Sequence, residues 1–359
     1  MKLKDTGLTQ EELKGLVKKY MIETYERFDF VAETAKDMYM YDPDGDAYLD
    51  FYAGIAVNSA GSCNEKVVAA VKDQVSDIMH TFNYPYTIPQ ALLAEKICTT
   101  IGMDKIFYQN SGTEANEAMI KMARKYGVEK YGPNKYNIVT AKSSFHGRTF
   151  GSMSATGQPD NACQVGFGSM TPGFTYAEYN NLEAFKEAVT EDTIAIMVEP
   201  VQGEGGVIPA TKEFLTGLRA LCDEKGILLI FDEVQTGFGR TGKFFASEIT
   251  GVVPDITTSA KAIAGGIPMG AMLASDKVAS AFKPGDHAST FGGTALACSV
   301  ASCVLDIFEE EELVKKSHEN GIYFREKLNA LKEKHSCIKD VRGHGLMNGV
   351  EVDADCSEF

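Results

Sequence analysis

The stretch GILLIFDEVQTGFGRTGKF, residues 226–244, runs five apolar residues into two carboxylates and then into a glycine-punctuated turn ending on a lysine. An apolar strand closed by Asp-Glu has the look of a Walker B strand, and Gly237–Lys243 spells G-x-x-x-x-G-K, the start of a phosphate-binding P-loop. The ATPase reading fails on two counts. Lys243 is followed by Phe244 where a Ser or Thr is needed to help hold Mg²⁺, and the segment comes after Asp232 instead of before it. What remains is Asp232 at the end of an apolar strand, where an unpaired carboxylate is costly. It is a helix cap, half of a buried salt bridge, or the partner of some other cation, for which a protonated pyridine nitrogen would serve. Gly237, Gly239 and Gly242 read as a loop with unusual backbone angles, at an active site or on a plain surface.

The chain has 359 residues, 44% of them hydrophobic, and a formal net charge of −15. That length holds one large α/β domain and a smaller one. The acidic balance argues against nucleic acid or an anionic membrane surface as a partner. Eight cysteines form no C-x-x-C pair and six histidines no H-x-x-x-H or H-E-x-x-H spacing, so no metal site is expected. A charged N-terminal segment, scattered thiols and no membrane-length apolar run lead us to expect a cytoplasmic protein.

Outward from residue 226 the texture is one of alternating strands and helices. Strand candidates are 105–109, 137–141, 194–198, 227–231, 255–259 and 270–274, and helical patterns cover 113–130 and 212–226. Near the N-terminus, Thr9-x-x-Glu12 predicts a capped helix over 10–21, and 38–51 reads as two strands around a Pro43-Asp44-Gly45 turn. The class is α/β, a mostly parallel sheet flanked by helices. Residues 65–294 are expected to form the large domain, with 1–64 and 295–359 combining as a smaller α+β domain.

Ligands in such sheets bind outside the carboxyl ends of the strands. That rule brings four motifs to one rim: Ser111-Gly112-Thr113, Glu199, Asp232 and Lys261. Ser111-Gly112-Thr113 opens a helix after a strand and offers free N–H groups to an anion, or is an ordinary cap with Glu114. Lys261 is the only charged residue from Thr257 through Ser275. So apolar a setting depresses a lysine's pKa, the condition for a Schiff-base nucleophile, unless the side chain is simply a solvated surface lysine. Phe145 offers either a ring for stacking or core packing. A phosphate cradle, a carboxylate for a pyridinium, an activated lysine and a stacking aromatic together describe a site for pyridoxal 5′-phosphate (PLP).

The motifs YLDFYAGIAV, NSGTEANEAMIK, SFHGRT, EPVQGEGG, LLIFDEVQTGFGRTGK, SAKAIAGGIPMGA and GDHASTFGG together resemble the class-III PLP-dependent aminotransferases, in their acetylornithine/ornithine branch. The resemblance implies PLP-transferase fold type I and a homodimer with shared active sites. The implied reaction moves the terminal amino group of N-acetylornithine to 2-oxoglutarate. Carried over by residue, it makes Lys261 the Schiff-base lysine and Asp232 the partner of the pyridine nitrogen, with Val234 and Gln235 at the ring and Phe145 stacked on it. Gly112 and Thr113, with Ser111 beside them, bind the phosphate. Arg148 holds a substrate carboxylate, Glu199 sits near the substrate's other end, and Ser289 and Thr290 reach across the dimer, Thr290 to the partner's cofactor phosphate. The chain departs from the family pattern at GSCNE (61–65) and at FGGTALAC (291–298). The pattern also continues past residue 359 to an arginine that binds the incoming acid, a role the resemblance does not pass to Arg342; on that ground the smaller domain is expected to be incomplete.

Overall fold

The structure is a computed structural model that describes residues 1–356. Its centre is a seven-stranded sheet of β1 (Lys105–Gln109), β2 (Asn137–Ala141), β3 (Phe174–Ala177), β4 (Thr193–Val198), β5 (Leu228–Asp232), β6 (Ile256–Ser259) and β7 (Gly270–Ala274). The spatial order is β1-β7-β6-β5-β4-β2-β3. β7 alone runs against its neighbours, antiparallel to β6 and to β1. An antiparallel return needs only a short connection, and the turn that makes it begins at Lys261 as a short 3₁₀ segment, Lys261–Ala264. The edge strand β3, with its half-buried FTYA pattern, is absent from the expectations above: it is short and its surroundings read as loop.

Alternation along β5 decides what each carboxylate meets. Leu228 and Ile230 pack into a cluster with helix α1 (Gly112–Tyr131) on one face. Leu229 and Phe231 pack into a cluster with helix α2 (Lys212–Lys225) on the other. With a side-chain period of two, Asp232 falls on the α1 side. Parallel register aligns Asp232 with Thr258 of β6. Buried on both faces, the strand reads as a continuous apolar run.

Glu233 belongs to a different job from its neighbour. It is fully buried, and its carboxylate accepts from Ala246 N (2.9 Å), Ser247 N (2.8 Å) and Thr236 Oγ1. These bonds close the 234–247 segment into a compact loop. Within it Gly239 (φ +80°) and Gly242 (φ +81°) take left-handed backbone, and a Cβ on Gly242 would lie 2.8 Å from His318 Cα.

The remaining elements pack around this frame. The N-terminal helix Gln10–Tyr20 carries the expected Thr9/Glu12 capping box, and 34–49 folds as a three-stranded antiparallel sheet. Helix α3 (Ala295–Glu310) lies in the core, and helix α4 (Leu313–Lys332) leads to a hairpin of Ile338–His344 and Met347–Val352. Both departures from the family pattern are local. Asn64 caps the helix Glu65–Asp77, and Thr294 caps α3 by accepting from Ala297 N at 3.2 Å. Glu233→Ala leaves two buried N–H groups unpaired, so chemical denaturation should show a loss of about 2–4 kcal/mol; a loss below about 0.5 kcal/mol would contradict the bracing role.

Candidate active site

The carboxyl ends of β1, β4, β5 and β6 open onto one cavity of about 600 Å³. Its lining includes Ser111, Gly112, Thr113, Phe145, Arg148, Glu199, Asp232, Val234, Gln235 and Lys261. Ten of the residues singled out in the sequence therefore meet at one place. Ser289 and Thr290 do not line it. Ser289 Oγ accepts from Asn110 Nδ2 (3.2 Å) and Gly292 N (2.9 Å), while Thr290 is exposed.

Asp232 lies at the floor, 4% exposed. Its Oδ2 accepts from His146 Nδ1 at 2.7 Å and Asn116 Nδ2 at 2.8 Å, and its Oδ1 from Val234 N at 3.0 Å. Asn116 sits on α1, the face that the β5 alternation assigns to Asp232, and its Oδ1 accepts from Thr258 Oγ1 at 2.8 Å. His146 is buried, with no protein partner for Nε2 among the described residues. Asn116 and His146 were not among the expected site residues. The one available signal was that His146 follows Phe145 in SFHGRT; Asn116 lies inside a helix with nothing local to mark it.

Ser111 caps α1, its Oγ accepting from Glu114 N at 3.3 Å. The Glu114 carboxylate does not close a reciprocal capping box. It reaches one residue further back to Asn110 N, at 3.0 Å. The N–H groups of Gly112 and Thr113, in the first turn of the helix, have no acceptor among the described residues, and a helix N-terminus with free donors attracts an anion. A Cβ on Gly112 would stand 2.6 Å from Val234 Cγ1, and one on Gly147 2.2 Å from Thr113 Oγ1. Both glycines keep the cradle open.

Lys261 takes a left-handed conformation (φ +49°) that turns it off the end of β6. Burial depresses its pKa against the opposing pull of Asp232, Glu204 and Glu199. Glu199 is pushed up to about 7 by burial, with the charges of His146 and Asp232 acting in opposite senses; its carboxylate accepts from Phe145 N (3.1 Å) and Gly203 N (3.2 Å). Arg148 is exposed and lies over the Phe145 ring, 5.6 Å from its centroid. Arg342 donates to Asp340 and Glu351, each at 2.9 Å, and to Gly206 O. No free donor set is left there for a substrate.

These residues fit the cofactor that the sequence implied. A charged ring nitrogen finds a buried carboxylate, and a phosphate finds free N–H donors beside glycines that a larger residue would close. Fold and cavity define an enzyme that works through pyridoxal phosphate. Residues 20–358 match the class-III aminotransferase family, and the chain belongs to it. It is 49% identical to an acetylornithine aminotransferase from Methanocaldococcus jannaschii over 96% of this chain and 86% of the relative. It is 43% identical to a succinylornithine transaminase from Photorhabdus laumondii, over 93% and 83% of the two chains. Among solved structures, the ornithine aminotransferase from Toxoplasma gondii superposes with a TM-score of 0.93 at 34% identity, covering 97% of this chain and 83% of that one. The protein is accordingly a PLP-dependent transaminase with a small-molecule amino donor and a 2-oxo acid as substrates. Among the described residues no helix is long and apolar enough to cross a membrane.

Two outcomes follow from the geometry. Gly112→Ala should weaken PLP binding at least about 10-fold in equilibrium dialysis, because the new methyl displaces Val234 from beside Asp232; unchanged affinity would remove the cradle. Glu199 has a folded pKa above its unfolded one, so the folded state holds the extra proton and stability falls as pH rises from about 4.5 through about 7. Glu199→Gln lacks that proton. Between pH 4 and 8 the stability gap between variant and wild type should move in the variant's favour by up to about 3 kcal/mol; a flat difference would contradict the shift.

Proposed function

We propose that the protein is a cytoplasmic, homodimeric acetylornithine aminotransferase. It would transfer the terminal amino group of N-acetylornithine to 2-oxoglutarate, giving N-acetylglutamate 5-semialdehyde and glutamate, a step of arginine biosynthesis. The observation that supports the chemistry best is the buried Asp232 carboxylate, held by His146 and Asn116 at the floor of the cavity that also contains Lys261. The relatives named above support the choice of donor. Exposed apolar side chains at Phe82, Tyr84 and Phe291, beside Ser289 and Thr290, support the dimer.

Bound PLP supplies an electron sink conjugated to the amino-bearing carbon of the substrate. Asp232 favours the protonated ring nitrogen, since an opposite charge in a low-dielectric site stabilises it. His146 and Asn116 fix the rotamer of that carboxylate through Oδ2, and Val234 N holds Oδ1. Gly112 and Thr113 N–H groups, with Ser111 beside them, hold the phosphate at the α1 N-terminus. Phe145, Val234 and Gln235 would hold the ring, and Thr290 would serve the phosphate site of a partner copy. Lys261 Nζ, with its depressed pKa, would act as the base that takes the proton from the substrate carbon and as the acid that gives it back. Arg148 binds a substrate carboxylate, and Glu199 faces the substrate's other end.

The test is the visible cofactor band of the purified holoenzyme, followed as amines are added. Bleaching by N-acetylornithine at low concentration supports the assignment. Bleaching by N-succinylornithine, ornithine or 4-aminobutyrate in its place would move the substrate and keep the chemistry. Lys261→Ala should retain cofactor and lose turnover by about four orders of magnitude or more; a variant retaining a tenth of wild-type activity would overturn the role of Lys261.

A further inference from the structure

Arg148, to which the proposed function gives a substrate carboxylate, has little of its own to hold it. The side chain is exposed and rests on the Phe145 ring, and it makes no ion pair or side-chain hydrogen bond among the described residues. Its place is therefore set by the backbone on either side. Before it, Gly147 (φ +137°) packs over the first turn of α1, where a Cβ would lie 2.2 Å from Thr113 Oγ1. After it, Thr149 N donates to Thr113 Oγ1 at 3.3 Å, and the two threonine hydroxyls lie 2.8 Å apart.

Glu117 is what ties residue 149 and the turn beyond it to α1. It stands four residues after Thr113, on the same face of the helix. Glu117 Oε1 accepts both from Thr149 Oγ1 and from Ser152 N, the latter at 3.0 Å. Ser152 is the third residue of the short helix Phe150–Ala155, whose own cap residue, Thr149, makes no side-chain cap bond. Glu117 supplies the missing acceptor from another helix, 35 residues away in the chain. The approach is close enough to need a glycine, since a Cβ on Gly151 would lie 2.3 Å from Glu117 Oε2. Gly151 takes no left-handed backbone, so the carboxylate is what its bare Cα accommodates.

We propose that Glu117 is a positioning residue for substrate recognition: by capping the 150–155 helix from α1, it fixes where Arg148 meets the substrate carboxylate. Glu117 does not line the cavity and acts through Arg148 alone. Misplacing a binding group by about 1 Å can cost about 100-fold in rate. The effect falls on donors that carry a carboxylate and leaves the proton transfers at Lys261 as they are. The proposal deepens the function given above and rests on its reading of Arg148.

The experiment follows bleaching of the visible band of the holoenzyme by two amines. N-Acetylornithine is compared with N-acetylputrescine, which has a hydrogen where the carboxylate stands. In Glu117→Ala, kcat/KM for N-acetylornithine should fall about 30-fold, mostly through KM, while that for N-acetylputrescine changes by less than about 3-fold. Glu117→Gln keeps an acceptor at Oε1 and should stay within about 3-fold of wild type for both amines. Gly151→Ala suits a helix but displaces the carboxylate, so it should repeat the loss, and it serves equally where Glu117→Ala does not fold. Added to Arg148→Ala, Glu117→Ala should cost less than about 3-fold more. Hydrogen exchange of the full-length protein is a readout apart from turnover: amides of 149–155 should exchange faster in Glu117→Ala and not in Glu117→Gln. Equal losses for the two amines, or a full further loss on top of Arg148→Ala, would make Glu117 a general brace and overturn the proposal. A loss in Arg148→Ala with none in Glu117→Ala would overturn it alone. No loss of N-acetylornithine activity in Arg148→Ala would overturn the reading of Arg148 and the proposal with it.

Discussion

The structure depends on keeping one carboxylate buried without leaving it unpaired. Asp232 sits at the end of a strand that is apolar on both faces, where a bare charge would cost several kcal/mol. Four donors meet it: Asn116 from α1, His146 from the loop after β2, the backbone N–H of Val234 and, at 3.4 Å, Thr258 Oγ1 from β6. Each of those elements is itself tied down. Asn116 Nδ2 also donates to His146 O at 2.7 Å, and Glu117, one residue on along α1, accepts from Ser152 N at 3.0 Å. The loop bearing Phe145, His146 and Arg148 is therefore held to α1 at two points, and the cavity keeps its shape through a buried network.

The adjacent carboxylate is handled in the opposite way. Glu233 faces away from the cavity and satisfies its oxygens on the backbone at residues 246 and 247, and burial raises its pKa. Two neighbouring acids thus do two jobs, because the chain leaves the strand between them. One lines the cavity; the other closes the loop that follows the strand. That loop also receives the C-terminal hairpin, where Gly345 approaches so closely that a Cβ would lie 2.3 Å from the Thr241 carbonyl carbon. The buried cavity carboxylate, the loop-closing carboxylate and the hairpin contact all lie within nineteen consecutive residues, 226–244.

Most of the sheet was legible because parallel strands covered on both faces are uninterrupted apolar runs. β1, β2 and β7 have their expected bounds, β4 and β6 differ by one residue at an end, and β5 is shifted by one residue, from 227–231 to 228–232. The exception, β3, is a four-residue edge strand in which only Ala177 is fully buried. Residues lining the cavity were legible where they stand just at or after strand ends, as Asp232, Lys261 and Ser111 do. Asn116 and His146 were not, because their roles rest on a partner 116 and 86 residues away in the chain.

By itself, then, the sequence determined the α/β class, six of the seven strands of the central sheet, the rim on which the singled-out residues converge and the family to which the chain belongs. All of these follow from local periodicity and short motifs. Only the tertiary structure decided which face Asp232 takes, which donors hold it, and how the Glu233 carboxylate closes the loop that follows the strand. Those are outcomes of packing between distant segments, where hydrogen-bond partners and desolvation are set by what else is buried nearby.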